Sequence, residues 1–184
     1  FATGRKSVDA LPAILASIPS GELPFVLTPY ASNEIQSLPS LLGKKGYHTS
    51  FFHGAPNGSM GFQAFTNLIG VKHYFGKDEY GNDADFDGTW GIWDEPFLQF
   101  FARKLDAFPE PFQSTLLSVS SHEPFVVPAT YKGKFPKGDH PIREVTGYTD
   151  YALRKFFASI QNKPWFKRTL FVITADHASL THDP

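Results

Sequence analysis

Apolar and polar positions follow one another along the chain in two kinds of pattern. In the first kind, apolar residues lie three and four positions apart, which is the spacing of one helix face. This pattern predicts helices over residues 7–17, 33–45, 59–69, 94–107 and 142–160. The stretch between the third and the fourth of these helices is rich in Gly, Asp and aromatic residues and is predicted as a loop.

The second kind of pattern is a short, dense apolar run, which favours a β-strand. Such runs lie at residues 47–52, 114–120 and 169–175. The last two are nearly continuous in apolar residues, which is typical of interior strands of a parallel sheet. Because strands alternate with helices, the sequence predicts an α/β fold with a mostly parallel central sheet flanked by helices.

Polar clusters follow all three predicted strands. His53 comes after the first strand, His122 after the second, and Asp176 with His177 after the third. Ligands of open parallel sheets bind beyond the carboxyl ends of the strands. The three clusters therefore predict a functional site at that edge of the sheet.

These polar residues allow more than one chemistry. A carboxylate next to an imidazole, as in Asp176-His177, suits a zinc or manganese ion, but such a pair can also simply cap the next turn. His122 could act as a general acid or base, or could donate a hydrogen bond to a phosphate oxygen. A histidine that only satisfies core polar groups is the alternative for His122, and His53 is placed similarly.

Ser7 lies at the start of the first predicted helix, after Gly-Arg-Lys. The helix dipole, the unpaired N–H groups of the first turn and two nearby cations would favour an anion there. They would also lower the pKa of a nucleophilic hydroxyl. The alternative is that Ser7 serves only as the N-cap of the helix.

Composition and charge exclude several classes of protein. The 184 residues are 41% hydrophobic and 19% charged, which suffices for one sizeable core. A net charge of −1 gives no reason to expect nucleic acid or an anionic membrane surface as a partner. Cysteine is absent, which excludes disulfides, cysteine–zinc sites and thiol nucleophiles. No apolar run reaches the roughly 20 residues that span a bilayer.

Taken in order, the motifs GRKSV, FFHG, WGIWDE, SSHEPF and ITADH resemble one known family over essentially the whole chain. This family is the lipoteichoic acid synthase type of the alkaline phosphatase/sulfatase superfamily, which also contains phosphoglycerol and phosphoethanolamine transferases. The resemblance implies that residues 1–184 are part of a sulfatase-like catalytic domain, truncated at both ends. It also implies a parent enzyme anchored in a bacterial cell membrane, with its catalytic domain outside the cytoplasm. Its substrate would be a phospholipid head group or a cell-envelope glycan.

The resemblance also implies a role for each candidate residue. Ser7 takes the place of the nucleophile that forms a covalent phospho-intermediate, and that also contacts a divalent metal. Asp176 and His177 take the places of two metal ligands, the metal being manganese or zinc, with magnesium as a further option. His122 and His53 match histidines that bind the substrate phosphate or its surroundings. A glutamate that completes the metal site in the family would precede this sequence.

Departures from the family pattern leave alternatives open. After His53, the run GAPNGSMGFQAF lacks the Trp and Arg that contact the head group in relatives, so the head group is not assigned. A sulfatase would need Cys/Ser-x-Pro-x-Arg, whereas residues 7–11 read SVDAL. A phosphodiesterase or phosphatase of the same superfamily and an inactive remnant are further alternatives.

His182 lies where some relatives place another site histidine. Trp90 and Trp93 are expected to pack in the core rather than to contact a lipid or a glycan.

Overall fold

A parallel three-stranded sheet forms the centre of the structure, which is a computed structural model that describes residues 6–177. In this part of the chain the strands are β1 His48–His53, β2 His73–Phe75 and β3 Phe112–Leu117. Their order is β2-β1-β3, so β1 is the middle strand and pairs in parallel with both neighbours.

Helices cover both faces of this sheet. In the described part they are α1 Ser7–Ala16, α2 Leu38–Gly43, α3 Phe62–Leu68, α4 Lys77–Tyr80, α5 Asp94–Ala107 and α6 Ile142–Ile160. None of these helices combines the length and the apolar character that crossing a bilayer requires.

Two adjacent phenylalanines of β1 show how the layers are built. Successive side chains of a strand point to opposite faces, and Phe51 and Phe52 are both fully buried. Phe51 belongs to an apolar cluster with residues of α1 and α3. Phe52 belongs to a second cluster, formed with α5 and α6. The predicted arrangement of helices flanking a parallel sheet is therefore confirmed.

The bounds of the helices agree with the prediction where the apolar period is long. α5 and α6 begin and end at the predicted residues. α2 begins five residues later than predicted, because Ser37 and Ser40 form a reciprocal capping box there and Pro39 favours a helix start. The predicted loop before α5 contains β2 and α4, which are too short to produce a recognisable period.

The prediction of a strand at 169–175 is wrong for this structure. The segment is not part of the sheet, and Leu170 and Val172 are 87% and 78% exposed. Phe171, between them, packs against Phe157 of α6. An apolar run becomes a strand only where a neighbouring backbone pairs with it, and the sheet of the described residues ends at β3.

The second predicted strand is shifted toward the N-terminus. It was expected at 114–120, whereas β3 covers Phe112–Leu117. Val119 and Ser120 leave the sheet because their backbone N–H groups donate to the carboxylate of Asp94. A side chain from α5 therefore decides where this strand ends.

Candidate active site

The hydroxyl of Ser7 forms a hydrogen bond with a residue that is distant in the sequence. Ser7 is the first residue of α1 and is buried, and its Oγ donates a hydrogen bond of 2.6 Å to Oδ2 of Asp176. Lys6, in extended conformation, is the N-cap. The interpretation of Ser7 as an N-cap is therefore wrong. The hydroxyl instead lies at the positive end of the helix, paired with a carboxylate.

The carboxylate of Asp176 lies close to the side chains of Ser7 and His177. Its Oδ2 accepts the hydrogen bond from Ser7 and lies 3.5 Å from Nε2 of His177. Its Oδ1 accepts a hydrogen bond of 2.8 Å from the backbone N–H of His177. A hydroxyl, a carboxylate and an imidazole thus lie close together.

His53 ends β1 and is almost completely buried. Its Nδ1 lies 3.0 Å from the carbonyl oxygen of Leu117, the last residue of β3. Because a carbonyl can only accept, Nδ1 carries the proton and donates this bond. Burial lowers the pKa of His53 and the nearby His122 lowers it further, while the Leu117 hydrogen bond opposes both effects. The resulting preference for the neutral form leaves a lone pair on Nε2.

His122 is held in a similar way on the segment that follows β3. Its Nδ1 donates to the carbonyl oxygen of Val119 at 3.1 Å. The ring of Trp90 lies against the imidazole, with the centroids 4.9 Å apart, and the indole N–H donates to the backbone carbonyl of Glu123. Trp90 is 41% exposed, which contradicts the expectation of core packing, and it forms an aromatic wall beside His122. Trp93 packs edge-on against Tyr148.

Asp94 is a further residue of this region, and its role was not recognised in the sequence. Its carboxylate is 3% exposed and accepts hydrogen bonds from the backbone N–H groups of Val119 and Ser120 and from the Thr149 hydroxyl. Burial raises the pKa of Asp94, and these hydrogen bonds act against that shift. An acidic residue in the first turn of a helix is normally explained by its favourable interaction with the helix dipole, so Asp94 has no separate signal in the sequence.

The donor atoms around Asp176 fit part of a metal coordination shell. The oxygens of Ser7 and Asp176 with the imidazole nitrogen of His177 form a mixed set that suits manganese or zinc. Among residues 6–177, however, no group of three His, Cys, Asp or Glu side chains could hold a metal ion. His182, a further candidate, lies outside the described residues.

The stability of the protein is expected to depend on pH through His53. Its pKa in the folded protein is below the ordinary value of 6.5, so the unfolded chain takes up the proton first as the pH falls. The stabilisation is complete above that ordinary value and is lost as the pH falls through the folded pKa. Unfolding midpoints of wild type and His53→Gln, compared at about pH 7.5 and pH 5.5, measure this effect.

The wild type should lose more stability between the two pH values than His53→Gln. Burial also lowers the pKa of His48, which therefore contributes in the same direction in both proteins. The difference between the two losses isolates His53. Equal losses would contradict the neutral, buried state of this imidazole.

Known proteins resemble the chain in sequence. Lipoteichoic acid synthase 2 of Bacillus subtilis is 24% identical over 159 residues, which are 83% of this chain and 24% of that protein. Phosphoglycerol transferase I of Salmonella arizonae is 24% identical over 155 residues, covering 79% of this chain and 20% of the relative. The chain thus spans about a quarter of the length of the curated relatives that it matches.

A solved structure and the sequence model of a protein family also match the chain. The crystal structure of a protein in the alkaline phosphatase superfamily from Vibrio parahaemolyticus matches with a TM-score of 0.77 and 26% identity, over 90% of this chain and 41% of that one. The expected alkaline phosphatase/sulfatase type of α/β fold is therefore confirmed. The sequence model of the Sulfatase family matches residues 1–183. With nearly its whole length matched, the chain belongs to the Sulfatase family.

Proposed function

We propose that the protein is a phosphotransferase that moves a phosphoglycerol- or phosphoethanolamine-type group from a phospholipid, through a covalent intermediate on Ser7. The observation that carries this proposal is the hydrogen bond between the buried Ser7 hydroxyl and Asp176, at the N-terminus of α1. A hydroxyl there has a carboxylate as hydrogen-bond acceptor and the positive end of a helix beside its oxygen. The relatives named as a lipoteichoic acid synthase and a phosphoglycerol transferase support the same chemistry.

The first step is attack of Ser7 Oγ on the phosphorus of the head group. The Oγ–P bond forms while the bond from phosphorus to the lipid glycerol oxygen breaks. The proton that Ser7 loses is balanced by the proton that the departing diacylglycerol takes up. Ser7, Asp176 and His177 would hold a divalent cation, which supplies positive charge that lowers the pKa of the hydroxyl. In the second step an acceptor hydroxyl attacks the phosphorus and Ser7 is released.

The two histidines suit proton transfer and contact with the substrate in these steps. In both rings Nδ1 donates to a backbone carbonyl, so Nε2 is the nitrogen left to exchange a proton. Neutral His53 or His122 can accept the proton of the acceptor hydroxyl, and the imidazolium form can return a proton to the departing alkoxide. Trp90 offers apolar surface next to His122, where the rest of a lipid or glycan substrate could pack.

The setting of this activity is part of the proposal. Residues 1–184 would form part of the catalytic domain of a longer protein, consistent with a chain that spans about a quarter of its relatives. We place that protein in a bacterial cell envelope, anchored to the membrane, with the catalytic domain outside the cytoplasm. Manganese or zinc is the proposed cofactor, since the donor set of Ser7, Asp176 and His177 mixes oxygen and nitrogen.

The test uses the intact protein and vesicles of phosphatidylglycerol or phosphatidylethanolamine, with added Mn²⁺ or Zn²⁺. Release of diacylglycerol and transfer of the head group to an added glycolipid are measured together. We expect both, with a covalent phospho-adduct on the peptide that contains Ser7. Release with water as the sole acceptor would indicate a phosphodiesterase. Turnover of aryl sulfate without turnover of phospholipid would indicate a sulfatase.

A further inference from the structure

One peptide group, between Val119 and Ser120, connects the buried carboxylate of Asp94 to the ring of His122. Its N–H, on Ser120, donates to Asp94 Oδ1 at 3.2 Å. Its carbonyl, on Val119, accepts from His122 Nδ1 at 3.1 Å. The N–H and C=O of a trans peptide lie on opposite sides of one rigid plane, so the two contacts are geometrically linked.

Asp94 is itself fixed more firmly than a surface carboxylate would be. Oδ1 also accepts a hydrogen bond of 2.9 Å from the Val119 N–H, and Oδ2 accepts one of 3.1 Å from the Thr149 hydroxyl. In return, the backbone N–H of Asp94 donates to Oγ of Ser120 at 2.9 Å. The 14-residue helix α5 and the 19-residue helix α6 thus hold the carboxylate from two sides.

This connection has a chemical consequence for His122. Since the Val119 carbonyl can only accept, Nδ1 carries a proton, and in the neutral form of the ring the lone pair is therefore on Nε2. A negative charge at the N–H end of a peptide polarises the group and strengthens its carbonyl as an acceptor. The carboxylate therefore favours one tautomer and one orientation of the imidazole, from the far side of the peptide.

We infer that Asp94 is a positioning residue of the phosphotransfer site, which holds His122 in the Nδ1–H tautomer through the Val119–Ser120 peptide. The inference rests on the proposed function for its kinetic consequence. Asp94 acts through His122 and does not need to touch the substrate. Its effect on turnover should therefore depend on the presence of the imidazole.

The kinetic test is a double-mutant cycle in the intact protein. Asp94→Ala should lower kcat by about 10- to 100-fold in the wild-type background, as loss of an orienting partner commonly does. In a His122→Gln background the same change should cost less than about threefold. Asp94→Asn keeps the acceptor oxygen and should recover activity to within about tenfold of wild type. Equal fold-losses in the two backgrounds would overturn the inference.

Thr149→Val is the matched control for a merely structural role. It removes the third hydrogen bond of the Asp94 carboxylate without touching the 119–120 peptide. We expect kcat to stay within about threefold of wild type. A loss as large as that of Asp94→Ala would show that general packing around Asp94 matters, and would contradict a specific action on His122.

A spectroscopic measurement tests the inference without turnover. In the intact wild-type protein labelled with ¹⁵N-histidine, the ring nitrogen shifts report the tautomer, and His122→Gln identifies the signal. The inference requires the Nδ1–H form, and the Nε2–H form would overturn it. Absence of head-group transfer by the wild type would instead contradict the proposed function, while the tautomer, compared between the wild type and Asp94→Ala, still tests the role of Asp94.

Discussion

Replacing Ser7 by alanine is expected to lower the rate of head-group transfer by about three orders of magnitude or more. The variant lacks the oxygen that forms the covalent bond to phosphorus. The start of α1 should remain intact, because the Ser7 side chain does not cap the helix and alanine is a good helix former. The measurement is kcat/KM for diacylglycerol release, with the phospho-adduct followed by mass spectrometry.

Two further substitutions make this result specific. Ser7→Thr keeps a hydroxyl and should keep substantial activity. Ser159→Ala removes a serine hydroxyl from α6 that donates to the Phe156 carbonyl, and should leave the rate near that of wild type. Loss of the Ser7–Asp176 hydrogen bond should cost about 2 kcal/mol of stability, so the variants remain comparable. A folded Ser7→Ala protein with near-normal transfer rates would contradict the assignment of the nucleophile.

Asp176→Asn is expected to reduce kcat/KM by about 100- to 1,000-fold. The amide has nearly the same shape, and its oxygen can still accept the hydrogen bond from Ser7. The negative charge that a divalent cation needs is lost, however, and so is the charge opposite the serine proton. Transfer rates measured across a series of Mn²⁺ or Zn²⁺ concentrations should show a weaker apparent metal affinity, with partial recovery at high metal concentration.

An exposed aspartate provides the comparison for this charge change. Asp150 forms a surface ion pair with Arg154 one helical turn away on α6, so Asp150→Asn removes the same charge from an exposed position. Its rate and its apparent metal affinity should match those of wild type. If Asp176→Asn also matched wild type in both quantities, Asp176 would be neither a metal ligand nor a partner of the nucleophile.

The pattern of apolar residues is sufficient to predict an element whose own sequence has a long amphipathic period. In α5 a long amphipathic period places Phe97, Phe101 and Leu105 on the buried face, and the predicted bounds are those observed. The contact between Ser7 and Asp176 has no such local signal, because it depends on the path of the whole chain. The resemblance to a family of ordered motifs suggested that these residues share a site, and the structure brings them into contact.

Other features could not be predicted because they depend on tertiary partners. The apolar run at 169–175 has the composition of an interior strand, but pairing is a property of two segments and not of one. The end of β3 is set by the carboxylate of Asp94, whose N–H partners lie on another element. In both cases the outcome depends on groups elsewhere in the fold, which the local apolar pattern does not contain.

The contact between Ser7 and Asp176 joins residues 169 positions apart, which has a consequence for how the protein is made. At about 5–20 residues per second, the serine is added to the chain roughly 8 to 34 s before its carboxylate partner. During that interval α1 can form, but the hydroxyl has no Asp176 to pair with. The proposed activity therefore cannot appear before Asp176 has been synthesised, although α1 is able to fold earlier.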